Sequence, residues 1–121
     1  MLVDDSLTVR MSLQAIVTNA GFDVVTAANG RDALEQVHAG LTPDLIITDL
    51  NMPHMDGITL VGELRQIPGM RQVPLLILTT ESQPATRAEA RAAGANGWLV
   101  KPIAAPDLLA LIAHLIPADP G

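Results

Sequence analysis

Cysteine is absent from this chain, so neither a disulfide framework nor a thiolate metal site can form. Aromatic residues are almost absent as well, at 2% of the sequence. The core must therefore be aliphatic, built from Leu, Ile, Val, Ala and Met. No apolar run approaches the length of a membrane span, and no signal-peptide pattern opens the chain. A location in the cytoplasm is expected, with no membrane partner. Bases are scarce: seven against thirteen acids, a net charge of −6. That balance argues against binding nucleic acid through this domain alone, because few cations are available to neutralise phosphates. Internal repeats and low-complexity segments are missing too. The 121 residues suggest one domain, over 1–121, with one modest core.

What is present centres on 45–57, Leu-Ile-Ile-Thr-Asp-Leu-Asn-Met-Pro-His-Met-Asp-Gly. Leu45, Ile46 and Ile47 form a short unbroken apolar run, the mark of a strand buried on both faces. The run stops at Asp49, and the Pro and Asp-Gly that follow have the composition of a shaped loop. An Asp after a strand is commonly a turn or cap residue. Its meaning depends on partners elsewhere.

The rest of the chain alternates strand and helix. Met1 to Val3 is the end of a strand, and Ser6 caps a helix carrying Leu13, Ile16, Val17 and Ala20 inward. Gly21 stops that helix. Phe22 to Ala27 reads as a second strand. Asn29 caps a second helix with Ala33, Leu34 and Val37 inward, and Gly40 ends it. Leu45 to Thr48 is the third strand. Ile58, Val61 and Leu64 mark a third helix, weakened at Gly62 by about 1 kcal/mol relative to Ala and closed by Pro68-Gly69. Leu75 to Leu78 is a fourth strand. An Ala-rich helix runs from about Pro84 to Gly94, and Trp98 to Val100 is the fifth strand. The last helix has Pro106 near its first position, a poor N-cap at Ala104 and Ala105, and a stripe of Leu108, Leu111, Ile112 and Leu115. Five such alternations predict an α/β fold: a doubly wound, five-stranded parallel sheet in the order 2-1-3-4-5, with five helices on its two faces.

Ligands of such sheets bind beyond the carboxyl ends of the strands. Those ends carry Asp4 and Asp5, then Asp49, then Thr79 and Glu81, then Lys101. Three carboxylates brought together repel: a pair at about 4 Å costs about 1 kcal/mol in water and about 4 at an effective dielectric near 20. One lysine does not offset that, since a surface ion pair returns about 0–1 kcal/mol. A hard divalent cation does. All-oxygen donors favour Mg2+, with Mn2+ next, and count against zinc. With a cation bound, Asp49 beside a hydroxyl and an ammonium suits a transferring phosphoryl group.

Leu-Val-Asp-Asp, Ile-Thr-Asp-Leu-Asn-Met-Pro-His-Met-Asp-Gly, Leu-Thr-Thr-Glu and Trp-Leu-Val-Lys-Pro, in this order and spacing, resemble the receiver domains of two-component response regulators. Within them the chain is similar to the small chemotaxis CheY-like type, whose fold is flavodoxin-like. The resemblance implies that Asp49 is the phosphoacceptor, charged from a phosphohistidine on a sensor histidine kinase or phosphotransfer protein. It implies that Asp5, Asp49 and the backbone carbonyl of Asn51 bind the metal directly, and that Asp4 helps through water. Thr79 would hold a phosphoryl oxygen and Lys101 would pair with it. Asn51 and Glu81 would tune the phosphoryl lifetime, and the bond before Pro102 would be cis. The domain would then switch a downstream protein through the face of its fourth helix, fifth strand and fifth helix. It would not be a dedicated enzyme, beyond accepting the group and slow self-hydrolysis.

Some positions depart from the family. Trp98 stands where Tyr is usual, which leaves an aromatic switch and a half-buried strand residue both open. Fewer residues than usual precede the acid pair, so a shortened, less stable first strand is expected. His38, His54 and His114 read as solvated. Arg10 lies one helical turn past the acid pair, either near the phosphoryl group or solvated. Arg87 and Arg91, spaced i,i+4, face solvent or an acidic partner. Leu109 and Ile116 hint at an apolar partner surface. Residues 117–121 read as a terminus or the start of a linker. Two other functions compete. One is a receiver-like docking module that is never phosphorylated. The other is an aspartate-nucleophile phosphatase, which needs a second acid two positions past the nucleophile, where this chain has Asn51.

Overall fold

The computed structural model describes residues 1–80 and 83–116. Its elements are β1 (Leu2–Val3), α1 (Leu7–Asn19), β2 (Thr26–Ala27), α2 (Gly30–His38), β3 (Ile46–Thr48), α3 (Gly57–Arg65), β4 (Leu75–Thr79), α4 (Pro84–Ala93), β5 (Gly97–Val100) and α5 (Ala105–Leu115). All strand pairs are parallel, in the order β2-β1-β3-β4-β5. The predicted class and order hold.

The sheet divides the core in two. On one face, Val3, Ile46, Leu75 and Ile77 pack with Ala33 and Val37 of α2 and Leu60, Val61 and Leu64 of α3. On the other, Leu2, Ile47, Leu76 and Leu78 pack with Leu13 and Val17 of α1 and Leu108 and Ile112 of α5. Successive strand residues point to opposite faces. Both faces are covered, so the strands read as unbroken apolar runs.

Helix starts follow local chemistry. The Ser6 hydroxyl accepts from the Val9 N–H, Asn29 Oδ1 from the Asp32 N–H, and Asp56 Oδ1 from the Thr59 N–H. α4 and α5 begin with a proline in the first turn and no side-chain cap, as expected for α5. Gly94, at φ 118°, ends α4 in a left-handed conformation.

Several boundaries differ from expectation. β2 is two residues long and does not begin at Phe22. Its sheet neighbour is β1, which offers only Leu2 and Val3 as partners. The Phe22 N–H is instead taken by the Val17 carbonyl at the end of α1. Ala20 is the exposed C-cap of α1 and not part of its buried stripe. α3 ends at Arg65, before Pro68-Gly69, because Gln66 and Ile67 turn back onto Glu63 and Leu64 in tight three-residue bonds. Residues 117–121, read as a tail, lie outside the described residues, and so does Glu81. Among the described residues no helix is long and apolar enough to cross a membrane.

Candidate functional site

The parallel sheet brings the carboxyl ends of β1, β3, β4 and β5 side by side. Asp49 follows β3 and is anchored by its own N–H, which donates to the Val3 carbonyl of β1 at 2.8 Å. The Asp4 N–H donates to the Ala27 carbonyl of β2, and the Lys101 N–H to the Thr79 carbonyl of β4. Each residue that follows a strand end is thus fixed by a continuation of the sheet ladder.

Asp4, Asp5 and Asp49 each present one carboxylate oxygen, and these oxygens all lie within 4.8 Å of one another. Asp4 is 3% exposed and Asp49 8%, whereas Asp5 is open to solvent. The Lys101 ammonium sits between the two buried acids, 3.2 Å from Asp4 Oδ2 and 3.3 Å from Asp49 Oδ1. Asp4 Oδ1 accepts from the Ser6 N–H at 2.8 Å, and Asp49 Oδ1 from the Leu50 N–H at 2.9 Å. Among the described residues, the Leu50 N–H and the Lys101 ammonium both meet Asp49 at Oδ1.

Burial raises the Asp49 carboxyl above the ordinary range, and the Asp4 charge adds to that rise. Lys101 opposes it without cancelling it. For Lys101, burial alone would lower the ammonium, but Asp49 and Asp4 together outweigh burial and hold it above its ordinary value. The cluster is therefore short of positive charge.

The donor set fits a hard cation. Mg2+ holds oxygens at about 2.0–2.1 Å in an octahedron, which places neighbouring ligands about 3 Å apart and opposite ones about 4 Å apart. Carboxylate oxygens within 4.8 Å reach that spacing by small rotations. Exposed Asp5 leaves a path in from solvent.

The remaining predicted positions fall as follows. Thr79 is buried at the end of β4. Asn51 is exposed in the loop after Asp49. The Lys101–Pro102 bond is cis. Trp98 is half-buried in β5 against the α2–α3–α4 core. Arg10 is not simply solvated: its Nη1 donates to the Asp4 carbonyl at 2.6 Å, bracing the acid pair from below. His38, His54 and His114 are exposed, as expected. Leu109 and Ile116 are half-buried, and Ile116 packs on the α1–α5 core.

Sequence reasoning missed Gly57 and Arg65. A Cβ on Gly57 would lie 2.3 Å from the Asp49 carbonyl oxygen, so the loop closes on the acceptor only if this residue has no side chain. Its N–H donates to the Leu50 carbonyl at 2.8 Å. The Asp-Gly pair was a visible signal for a turn; the close approach was not. Arg65 bonds to main-chain carbonyls and Asn96, which no motif reports.

Comparison with known proteins agrees with this architecture. The family model for the response regulator receiver domain matches residues 1–113. Chemotaxis protein CheY1 of Helicobacter pylori is 36% identical over 103 residues, 84% of this chain and 83% of that protein. The solved structure of chemotaxis protein CheY4 of Vibrio cholerae has a TM-score of 0.90 and 39% identity, covering 95% of each chain. The receiver domain of sensor histidine kinase PA1611 of Pseudomonas aeruginosa was solved with a magnesium ion coordinated in its active-site cleft. It has a TM-score of 0.86 and 26% identity over 94% of this chain and 93% of that one. Parallel strands in this order, an acid cluster at their carboxyl ends and a family match across nearly the whole chain lead to one assignment: the chain belongs to the response regulator receiver domains of two-component signalling, in their CheY-like form.

Proposed function

We propose that Asp49 accepts a phosphoryl group from a phosphohistidine on a sensor histidine kinase or phosphotransfer protein. The observation that carries this is the environment of Asp49: Leu50 and Lys101 hold its Oδ1, and one of its oxygens lies within 4.8 Å of oxygens of two further carboxylates, Asp4 and Asp5. Asp49 Oδ2 attacks phosphorus in line, a P–O bond forms, and the P–N bond of the donor breaks with its electron pair returning to the imidazole. Asp5, Asp49 and the Asn51 carbonyl, with Asp4 helping through water, would hold a Mg2+ ion, which would neutralise charge on the phosphoryl oxygens. Thr79 donates a hydrogen bond to one of those oxygens. Lys101 leaves its carboxylate partners far enough to pair with another.

Transfer changes the partners of Thr79, which ends β4, and of Lys101, which follows the adjacent β5. That local change biases the surface of α4, β5 and α5 toward a state that a downstream protein recognises. Asn51 and Glu81 flank the path of the hydrolytic water and set the lifetime of the phosphoryl group. The domain works in the cytoplasm as a signalling component, with slow self-hydrolysis as its only turnover.

Incubation with Mg2+ and acetyl phosphate, followed by intact mass measurement, tests this directly. Wild type gains the mass of one phosphoryl group, and Asp49→Asn gains none. Equal labelling of the two, or no labelling of wild type, would sink the assignment.

A further inference from the structure

β5 is an edge strand. Its one sheet neighbour is β4, and its residues are only half-buried or exposed. Yet it must deliver Lys101 to a point between two carboxylates. Edge strands with little burial specify their register weakly, and a one-residue slip turns every side chain to the other face. Something other than burial must hold this strand.

The far end of the strand supplies the answer. The Arg65 guanidinium, at the last residue of α3, reaches across 29–31 positions of sequence. Nε and Nη2 donate to the Gly94 carbonyl at 3.0 and 2.8 Å. Nη2 also donates to Asn96 Oδ1 at 2.7 Å, and Nη1 to the carbonyls of Met70 and Val73 at 2.6 and 2.8 Å. Asn96 Oδ1 accepts in addition from the Leu75 N–H at 2.8 Å, and the Asn96 N–H donates to the Leu75 carbonyl at 2.7 Å. The residue before β5 is thus tied to the first residue of β4. From that tie the register runs Leu76–Gly97 to Thr79–Val100, ending one residue short of Lys101.

The fit is tight. A Cβ on Gly94 would lie 2.7 Å from Arg65 Cγ, and one on Gly97 2.7 Å from Leu76 Cδ2. The cation is not in a salt bridge among the described residues; carbonyls at the C-terminal end of α4 and in the α3–β4 loop solvate it. A cation is favourable at a helix C-terminus.

We propose that Arg65 is a positioning residue: by fixing Gly94 and Asn96 it sets the β4–β5 register and hence the place where Lys101 meets Asp4 and Asp49. The acids follow β1 and β3, so their backbone does not depend on this tie, whereas the ammonium between them does.

Hydrogen exchange read by mass spectrometry on Arg65→Gln tests it, with Val37→Ala on α2 as a control that weakens the core elsewhere. Exchange at 97–101 should quicken about tenfold relative to 46–49 in Arg65→Gln, and the two segments should shift together in Val37→Ala. Should Arg65→Gln fail to fold, Asn96→Ala keeps the arginine on its carbonyls and should show a smaller change confined to 97–101. Equal acceleration of both segments, or no change at 97–101, overturns the proposal. Labelling by acetyl phosphate should also slow severalfold and be partly restored in Arg65→Lys. That last arm rests on the proposed function: an unlabelled wild type counts against phosphoryl acceptance, while the exchange result still decides the role of Arg65.

Discussion

Two charge centres, one half-buried and one with two buried acids, sit at opposite ends of the β4–β5 pair, and they are built on opposite terms. At one end the Arg65 guanidinium is surrounded by oxygen acceptors, with all three of its nitrogens engaged. At the other, Asp4 and Asp49 share one ammonium with exposed Asp5 close by, and the Asp49 carboxyl is driven upward by burial and by Asp4. The first centre is satisfied and belongs to the framework. The second is left unbalanced, which is what a site needs if a cation and an anionic group are to bind there. Buried charge by itself distinguishes neither; the tally of partners does.

The largest effect should come from the backbone that supports the unbalanced end. Gly57→Ala places a methyl against the Asp49 carbonyl and should cost about 3 kcal/mol in urea unfolding, with loss of magnesium binding. A cost near zero would show that the loop yields easily. Next is the satisfied end: Arg65→Gln strands several carbonyls and should cost about 2 kcal/mol.

The unbalanced end should respond in the opposite direction. Without metal, Asp49→Asn removes one of the repelling carboxylates and should stabilise the fold by about 1 kcal/mol. It should also shrink the rise in melting temperature that millimolar Mg2+ gives wild type. The sign with pH follows from the raised Asp49 carboxyl. Between its ordinary and raised values the folded state binds more protons than the unfolded state, so stability falls as pH rises through that window. Asp49→Asn should flatten that slope in metal-free titrations. A variant less stable than wild type at neutral pH would mean that Lys101 already balances the pocket.

The smallest effect belongs to the loop. His54 has φ 69°, a left-handed conformation that glycine adopts without steric cost. His54→Gly should change stability by at most about 1 kcal/mol, in the stabilising direction, with phosphoryl labelling unchanged.

The candidate site was legible in the sequence because each of its residues ends or follows a strand. A short apolar run that ends in an acid, a hydroxyl or a lysine shows both the strand and the group it delivers. Asp4, Asp5, Asp49, Thr79 and Lys101 could therefore be placed on one rim before any distance was known. Boundaries were less legible where pairing sets them: Phe22 to Val25 have strand composition, yet the residues in register with β1 are Thr26 and Ala27, and from the earlier run it takes up just the Val25 carbonyl. Arg10 was legible as a neighbour of the acids but not as a donor to the Asp4 carbonyl, since a main-chain acceptor leaves no mark on composition.

Alternation of short aliphatic runs with amphipathic helices was enough, by itself, to determine the parallel sheet, its order and the rim on which the chemistry gathers, because side-chain periodicity and chain handedness are local properties. Tertiary structure alone decided that Lys101 bridges Asp4 and Asp49, that Gly57 lies against the Asp49 carbonyl, and that Arg65 ties α3 to the start of β5. Those contacts join residues far apart in the chain, and their energies depend on distance and burial, which exist only once the chain has folded.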